Sequence, residues 1–324
     1  MKKLISFIVC TYNSPDLIKK CIDSILKQKC SNKKEILIVD GGSDQETVNL
    51  INQYKKKHKE IIILNNKKKL PEGYGKGKWL GWKKCRGEYV FTIDQDNELI
   101  DENCVENMLI SLKKERVFGC ACRLFLDKKD NLVNKYVALI GTDPFFAYKS
   151  LDFLINFENL IDNGAYSIFE IKKDNVIITG GNCFVYNKKI LDSLGGYTQD
   201  TENISRLVKK GYNLVAISNN SFTHHYAFKG FFDFIKKKKK WARVYEPKKS
   251  KNQNFSYIPK NKTERKKLIL NLFFIITIIP NFFISLKKTL KTQEKIWLFH
   301  PIFTFITGFI YFYYVFFKNI LKIN

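Results

Sequence analysis

The sequence predicts an α/β fold: a mostly parallel sheet with helices on both faces, followed by membrane-associated helices at the C-terminal end. Three observations predict it. Apolar runs such as Leu4–Cys10, Glu35–Asp40 and Tyr89–Ile93 alternate with segments whose apolar residues recur at helical spacing. The runs are apolar throughout rather than at every second residue, the pattern of strands covered on both faces. From Phe228 onward the composition shifts to lysine runs and long apolar stretches.

In chain order, Leu4–Cys10 is a strand and Thr11-Tyr-Asn-Ser-Pro-Asp16 its turn. From Asp16, the residues Leu17, Ile18, Cys21, Ile22, Ile25 and Leu26 mark one helix face. Glu35–Asp40 is the second strand, ended by Gly41-Gly-Ser-Asp44. A helix carrying Val48, Leu50, Ile51 and Tyr54 leads to a strand over Glu60–Leu64. The glycine-rich loop Pro71–Gly77 opens a short helix and then the Tyr89–Ile93 strand. Phe118–Phe125 is strand-like, Ile204, Leu207 and Val208 are spaced as in a helix, and Asn213–Ile217 is the last strand. A dinucleotide fingerprint is excluded. The first strand-to-helix turn, Thr11–Asp16, has no glycine, and Gly73-x-Gly75-x-Gly77 does not directly follow a strand.

The formal charge of the 324 residues, 56 − 31 = +25, calls for an acidic partner. The chain is rich in Lys, Asn, Ile and Phe together, so part of this charge reflects codon bias. The basic runs lie beside apolar segments and no nucleic-acid module pattern occurs, which favours anionic membrane lipids over nucleic acid. The eight cysteines form no C-x-x-C pair, so neither zinc nor a disulfide framework is expected, and a reducing cytosol fits. Met1–Cys10 is too short for a signal peptide.

Asp94-Gln95-Asp96 closes the Tyr89–Ile93 strand. Carboxylates at i and i+2 of an extended segment point to one side. The carboxyl ends of strands in an open α/β sheet are where ligands bind. Two adjacent anions are costly without a cation between them, and a hard divalent ion suits oxygen ligands. A solvated turn is the alternative.

Phe7-Ile-Val-Cys-Thr-Tyr-Asn13, Ile38-Val-Asp-Gly-Gly-Ser-Asp44, Gly87-Glu-Tyr-Val90 and Asp94-Gln-Asp96 occur in order, as do Thr179-Gly-Gly-Asn-Cys-Phe184, Gly195-Gly-Tyr197 and Asp200-Thr-Glu202. Together they resemble family 2 glycosyltransferases of the GT-A fold, a Rossmann-like nucleotide-diphospho-sugar transferase architecture, over about residues 4 to 228. The resemblance implies a pocket for base and ribose at Thr11, Asn13 and Asp40. It implies a D-x-D pair at Asp94 and Asp96, with Asp96 the direct ligand of Mg²⁺ or Mn²⁺ on the diphosphate. Asp200 falls where inverting relatives carry the catalytic base, and Gly180, Gly181 and Asn182 where donor sugar and acceptor meet. Its expected partners are a UDP- or GDP-sugar donor and a lipid-linked or cell-envelope glycan acceptor.

The chain departs from the family pattern at three places. Asp40-Gly-Gly stands for the commoner Asp-Asp-Gly, Lys78-Trp79 for Arg-Asn, and Gln199-Asp200 for Glu-Asp. Lys76 and Lys78 are candidates for charge on the diphosphate, against a background of lysine throughout the chain. Asp200 also suits a helix N-cap, and Glu202 is a reserve base. A histidine of His224-His225 completes the metal shell as in some relatives, His224 being the candidate, or packs among Phe222, Tyr226 and Phe228. Adjacent residues of an extended segment face opposite ways, so both do not reach one ion. Aromatic residues between Pro144 and Phe169 line an acceptor pocket or fill the core.

The expected organisation is a catalytic domain over 1–228, a basic linker over 229–267 and two hydrophobic membrane helices over 268–324. Leu268–Leu286 and Ile296–Phe317 are about 28 and 33 Å long as helices, against a hydrocarbon core of about 30 Å. Pro280 and Pro301 interrupt them, and the joining loop Lys287–Lys295 is basic. A re-entrant or interfacial pair agrees with the positive-inside rule better than a spanning hairpin does. The catalytic domain is expected to face the cytosol at the cytoplasmic membrane.

Overall fold

The structure is a computed structural model describing residues 4–66, 76–141, 161–162, 164–171, 173, 180–244 and 262–317. The loop 67–75, most of the aromatic stretch 144–169, and Thr179 lie outside the described residues. The chain forms two units, Met1–Phe125 with Asn159–His225, and Leu126–Glu158 with Tyr226–Asn324.

The first unit is built on a sheet that has ten strands among the described residues. They are β1 (Leu4–Thr11), β2 (Lys33–Asp40), β3 (Ile61–Asn65), β4 (Tyr89–Asp94), β5 (Asn97–Leu99), β6 (Val117–Leu124), β7 (Ile161–Asp162), β8 (Tyr166–Glu170), β9 (Phe184–Asn187) and β10 (Leu214–His225). The order is β3-β2-β1-β4-β9-β6-β10-β8-β7, with β5 paired to β10. The half formed by β1 to β4 is parallel, as expected. Beyond it β9 enters antiparallel to both β4 and β6, making the sheet mixed. This insertion brings the residues just before Phe184 to the end of β4. The last strand runs through His225 instead of stopping at Ile217, with an irregularity between Ile217 and Phe222.

On one face of β1, Ile5, Phe7 and Val9 pack with α1 (Pro15–Leu26) through Ile18, Cys21, Ile22 and Ile25. Helix α2 (Gln45–Lys57) adds Ile51, and α4 (Cys104–Ser111) adds Val105 and Met108. Asp44 caps α2 by accepting from the Thr47 N–H at 2.9 Å. The other face of β1 meets α3 (Lys76–Lys84) at close range. A Cβ on Gly81 would lie 2.5 Å from Ile8 Cγ2, and one on Gly77 would lie 2.9 Å from Cys10 Sγ. Absence of side chains there lets α3 approach the strands, and its Lys78 reaches their carboxyl ends.

Glu35 on β2 is a buried carboxylate, 2% exposed. It accepts from Ser6 Oγ at 2.6 Å, the Arg86 N–H at 2.6 Å, and Arg86 Nε and Nη2 at 2.9 and 2.8 Å. Burial works to raise its pKa, but these hydrogen bonds outweigh it and hold the carboxyl below its ordinary value. Stability from this group is full above the unfolded carboxylate range and lost as pH falls through the folded value. Glu35→Ala strands the Ser6 hydroxyl and the Arg86 N–H, and should cost about 2–4 kcal/mol in urea unfolding at pH 7. The gap to wild type should narrow on acidification; a gap unchanged at pH 3 refutes this account.

In the second unit, α5 (Leu132–Ile140) and α8 (Phe231–Val244) pack with the segment Lys295–Phe299 and α11 (His300–Tyr311). The shared core includes Tyr136, Phe228, Phe234, Trp297 and Phe303. Helix α5 therefore packs with the chain beyond 226, although the sequence draws its first boundary at 228. Helices α9 (Lys262–Thr277) and α10 (Ile279–Thr292) replace the continuous segment Leu268–Leu286. The limbs Leu268–Ile275 and Ile279–Thr292 meet at 83°. Lys295–Tyr314 is, among the described residues, the one helix long and apolar enough to cross a bilayer.

Candidate active site

Four loop and helix segments converge at the carboxyl end of β4. Lys78 on α3 is 7% exposed, and its Nζ lies 3.0 Å from Asp94 Oδ1 and 3.9 Å from Asp200 Oδ2. The same ammonium donates to the Gly181 carbonyl. Burial works against the charge on Lys78, but Asp200 and Asp94 outweigh it and push the pKa above its ordinary value, so the ammonium persists. One cation thus ties together the end of β4, the turn before β9 and the helix α7 (Asp200–Lys209), which follows the short α6 (Lys188–Asp192).

Asp200 is the first residue of α7, after Gln199 at the N-cap position. Its carboxylate accepts a hydrogen bond from the hydroxyl of Tyr197, a buried side chain, so it serves the pocket rather than the cap. Burial, then the charge of Asp200, holds the Tyr197 phenol well above its ordinary pKa and keeps it a donor. A Cβ on Gly181 would lie 2.4 Å from Asp200 Oδ2, so a side chain where β9's leading turn passes would push the carboxylate aside. Gly180, at φ +85°, directs its carbonyl to the Tyr186 hydroxyl at 2.8 Å. Asn182 Oδ1 accepts from the Asp94 N–H at 2.9 Å, fixing the β4 terminus.

Asp94 ends β4, while Asp96 lies in the two-residue turn before β5, so the strict alternation of an extended pair does not apply. Asp94 faces Lys78. Asp96 accepts from Asn97 Nδ2 at 2.8 Å and sits 3.5 Å from His225 Nε2. Burial and the like charges of Asp96 and Asp200 push the Asp94 carboxyl up, with Lys78 pulling it down. His224 takes the opposite face of β10, its ring edge-on to Phe125 at 6.3 Å. The alternation of β10 therefore brings His225, not His224, beside Asp96.

The expected base-binding residues also gather. Thr11 and Asp40 are register partners at the ends of β1 and β2. Thr11 is fully buried and donates to Gln95 Oε1 at 2.5 Å, and Gln95 also bonds the Tyr12 backbone through both side-chain ends. Asn13, at φ +40°, accepts from the Asp44 N–H at 2.8 Å, and its own N–H donates to Ser43 Oγ at 3.0 Å. Asp40 Oδ1 accepts from the Ser43 N–H at 3.1 Å.

Lys78, Tyr197, Gln95 and His225 are the members that sequence reasoning passed over or ranked low. The signal for Lys78 was the Gly77 and Gly81 pair around it, hidden by abundant lysine; the signal for His225 was the strand's parity.

The acidic groups here are expected to meet a divalent ion, and their arrangement bears on that only in part. Three carboxylates stand against one lysine, and Asp96 Oδ2 and His225 Nε2 are spaced as two ligands of one ion can be. Among the described residues no group of three or more His, Cys, Asp or Glu side chains is placed so as to hold a metal ion by itself. Ions that act on phosphates are commonly held by one or two carboxylates, with the remaining shell left to substrate and water.

The sequence profile of Glycosyl transferase family 2 matches residues 6–195. The poly(ribitol-phosphate) beta-glucosyltransferase of Bacillus spizizenii is 32% identical over 99 residues, 30% of this chain and 16% of that protein. The poly-beta-1,6-N-acetyl-D-glucosamine synthase of Staphylococcus aureus is 28% identical over 184 residues, 54% of this chain and 41% of that protein. The chain thus spans less than half the length of these two relatives. Among solved structures, a mannosyltransferase from Pyrobaculum calidifontis in complex with GDP-Man and Mn²⁺ has a TM-score of 0.57 at 13% identity, covering 100% of this chain and 89% of that one. The likeness confirms the GT-A fold. With the family profile matched across more than half of its length, the chain belongs to the family 2 glycosyltransferases.

Proposed function

We propose that the chain is a metal-dependent, inverting glycosyltransferase that moves a sugar from a UDP- or GDP-linked donor to a hydroxyl of a lipid-linked or cell-envelope glycan. The observation that carries this reading is Lys78, which reaches Asp94 and Asp200 with one ammonium and so puts the D-x-D and the candidate base in one cleft.

Thr11, Asn13 and Asp40, at the ends of neighbouring strands, receive the nucleoside. Asp96 and Asp94, with His225, would hold Mg²⁺ or Mn²⁺. The ion supplies positive charge against the leaving diphosphate, an effect of several kcal/mol in such reactions. Lys78 adds a fixed positive charge beside the same groups. Asp200, oriented by Tyr197, accepts the proton of the attacking hydroxyl. Gly180, Gly181 and Asn182 leave room beside the sugar. The envelope-glycan acceptor is favoured by the activities of the relatives. A place at the cytosolic face of the cytoplasmic membrane is favoured by the apolar residues exposed on the C-terminal helices, among them Ile269, Phe283 and Phe309 at 63% or more.

The test is nucleotide release by the detergent-extracted full chain from a panel of UDP- and GDP-sugars, with and without Mn²⁺. One donor should turn over, and only with metal. Asp96→Asn should raise the Mn²⁺ concentration for half-maximal rate at least about tenfold. Turnover indifferent to chelator removes the metal from the proposal; no turnover of any donor removes the proposal itself.

A further inference from the structure

We infer that the C-terminal helices lie in the plane of a membrane surface, embedded in one leaflet, and that none of the described segments crosses it. This geometry rests on the membrane location proposed above and adds to it how the chain meets the lipid.

The C-terminal helices of the second unit pair polar groups inside it and leave large apolar side chains outside. Its interior holds Asn281, Ser285, His300, Thr304 and Thr307, all 7% exposed or less. These groups find partners inside. Asn281 Nδ2 donates to Thr304 Oγ1 at 3.1 Å, Ser285 Oγ donates to the Trp297 carbonyl at 2.5 Å, and Tyr136 Oη pairs with His300 Nδ1 at 2.9 Å. The exterior shows Ile269, Phe273, Ile279, Phe282, Phe283 and Phe309, each half exposed or more. Large apolar side chains exposed in this number form more than the singly scattered ones of a surface that faces water. In hydrocarbon, polar groups must pair internally while apolar side chains face out.

Length and composition alone allow the bent pair Leu268–Ile275 and Ile279–Thr292, taken as one broken span, or Lys295–Tyr314 to cross. For Lys295–Tyr314, its neighbour forbids that. Phe231 and Phe234 of α8 pack on Phe303 near the start of α11, with ring centroids 6.1 and 5.3 Å apart. At the far end, Arg243 Nη2 of α8 donates to Tyr314 Oη at 3.1 Å, its guanidinium 5.2 Å from the ring. Helix α8 therefore accompanies α11 along its length. On α8, Lys236, Lys239 and Lys240 are exposed at i, i+3 and i+4, one face of the helix. A crossing α11 would draw those three ammonium groups through hydrocarbon, where lysine is rare and costly. With both helices in the interface, the ammonium groups reach anionic headgroups. The exposed stripe of Ile302, Phe305, Phe309 and Phe312 on the α11 side then enters the acyl region.

The bent pair α9–α10 obeys the same geometry. Its corner is built rather than loose: Pro280 lacks an N–H, and Asn281 Nδ2 donates to the Phe274 carbonyl, one of the last of α9, at 3.2 Å. Gly308 of α11 receives Ile275 beside this corner; a Cβ there would lie 2.6 Å from Ile275 Cγ2. The limb Leu268–Ile275 is about 12 Å long, less than half of a hydrocarbon core of about 30 Å. An arm of that length is too short to cross, and an 83° corner lets both limbs stay within one leaflet near its surface.

The test uses the full chain with a protease-cleavable epitope tag appended after Asn324, expressed and examined in inverted membrane vesicles whose cytosolic face is outward. The chain should sediment with the vesicles, and the tag should be cut without detergent. Phe305→Glu/Phe309→Glu should move the chain to the soluble fraction at least tenfold, with a wild-type thermal transition showing that it is folded. Lys236→Gln/Lys239→Gln/Lys240→Gln should weaken binding to phosphatidylglycerol-containing vesicles on the order of a hundredfold and leave binding to pure phosphatidylcholine unchanged. A tag protected until detergent is added overturns the in-plane arrangement while leaving the membrane location standing. A triple lysine variant that binds anionic vesicles like wild type also overturns it. Wild-type chain recovered in the soluble fraction overturns both. None of these readouts depends on sugar transfer.

Discussion

Asp200→Asn is expected to lower sugar transfer about a thousandfold while donor affinity changes by no more than about threefold, within the range a positioned general base contributes. The amide has the shape of the carboxylate and its oxygen can still accept from the Tyr197 hydroxyl; its NH2 end then turns to Lys78, 3.9 Å away, whose ammonium keeps its bonds to Asp94 and the Gly181 carbonyl, so the cleft should keep its form. What it loses is the capacity to take a proton. The space around the group is narrow: Gly181 leaves no room for a Cβ, and Tyr197 and Lys78 hold the two oxygens from different sides. A base so confined acts at one place, and a water molecule substitutes poorly for it. Transfer rate at saturating donor and acceptor, with donor binding by calorimetry, checks both halves of the expectation. Transfer retained in Asp200→Asn would sink the assignment. It would direct attention to Glu202, 8% exposed on the same helix, or to an acceptor already ionised as a phosphate.

How much of this the sequence carried depends on the scale of the signal. The strands β1, β2 and β4 are runs of apolar residues long enough to declare burial on both faces, and their ends fall within two residues of expectation. Asp94, Asp200 and Gly181 were named from motif order, and the structure brings them around one ammonium. The lysine itself was discounted, because among 56 basic residues a local pattern cannot mark one as buried. Its burial comes from two glycines meeting Ile8 and Cys10, a contact between segments about 70 residues apart. His225 was a question of parity: β10 continues past Ile217 through an irregularity, and a count started in the wrong register turns the wrong imidazole toward Asp96. The antiparallel entry of β9 left no local trace, since a four-residue strand reads alike in either direction.

Lys78→Met is expected to lower transfer about a hundredfold and to reduce unfolding free energy by about 1–3 kcal/mol near neutral pH. Removing one partner of a buried ion pair costs more than this when the survivors are fully buried. Here the side chains of Asp94 and Asp200 are 38% and 37% exposed, so water screens what is left and the cost is discounted. The sign of the pH dependence follows from the raised pKa of Lys78. Its contribution is fully present below the unfolded lysine range, about pH 10, and is lost as pH rises through the folded value. The stability gap between wild type and Lys78→Met should therefore be level through neutral pH and close only in strong alkali. Mn²⁺ affinity separates the possible roles. Without the lysine, Asp94 and Asp200 lose a competing positive charge, so the variant should bind Mn²⁺ at least as tightly as wild type while transferring slowly. Weakened Mn²⁺ binding would instead make Lys78 a scaffold for the metal ligands. Lys78→Arg keeps the charge but must fit a planar fork where a single ammonium meets two carboxylates and a carbonyl. Partial recovery of transfer in that variant, at wild-type stability, would identify the charge rather than the packing of this side chain as what the reaction uses.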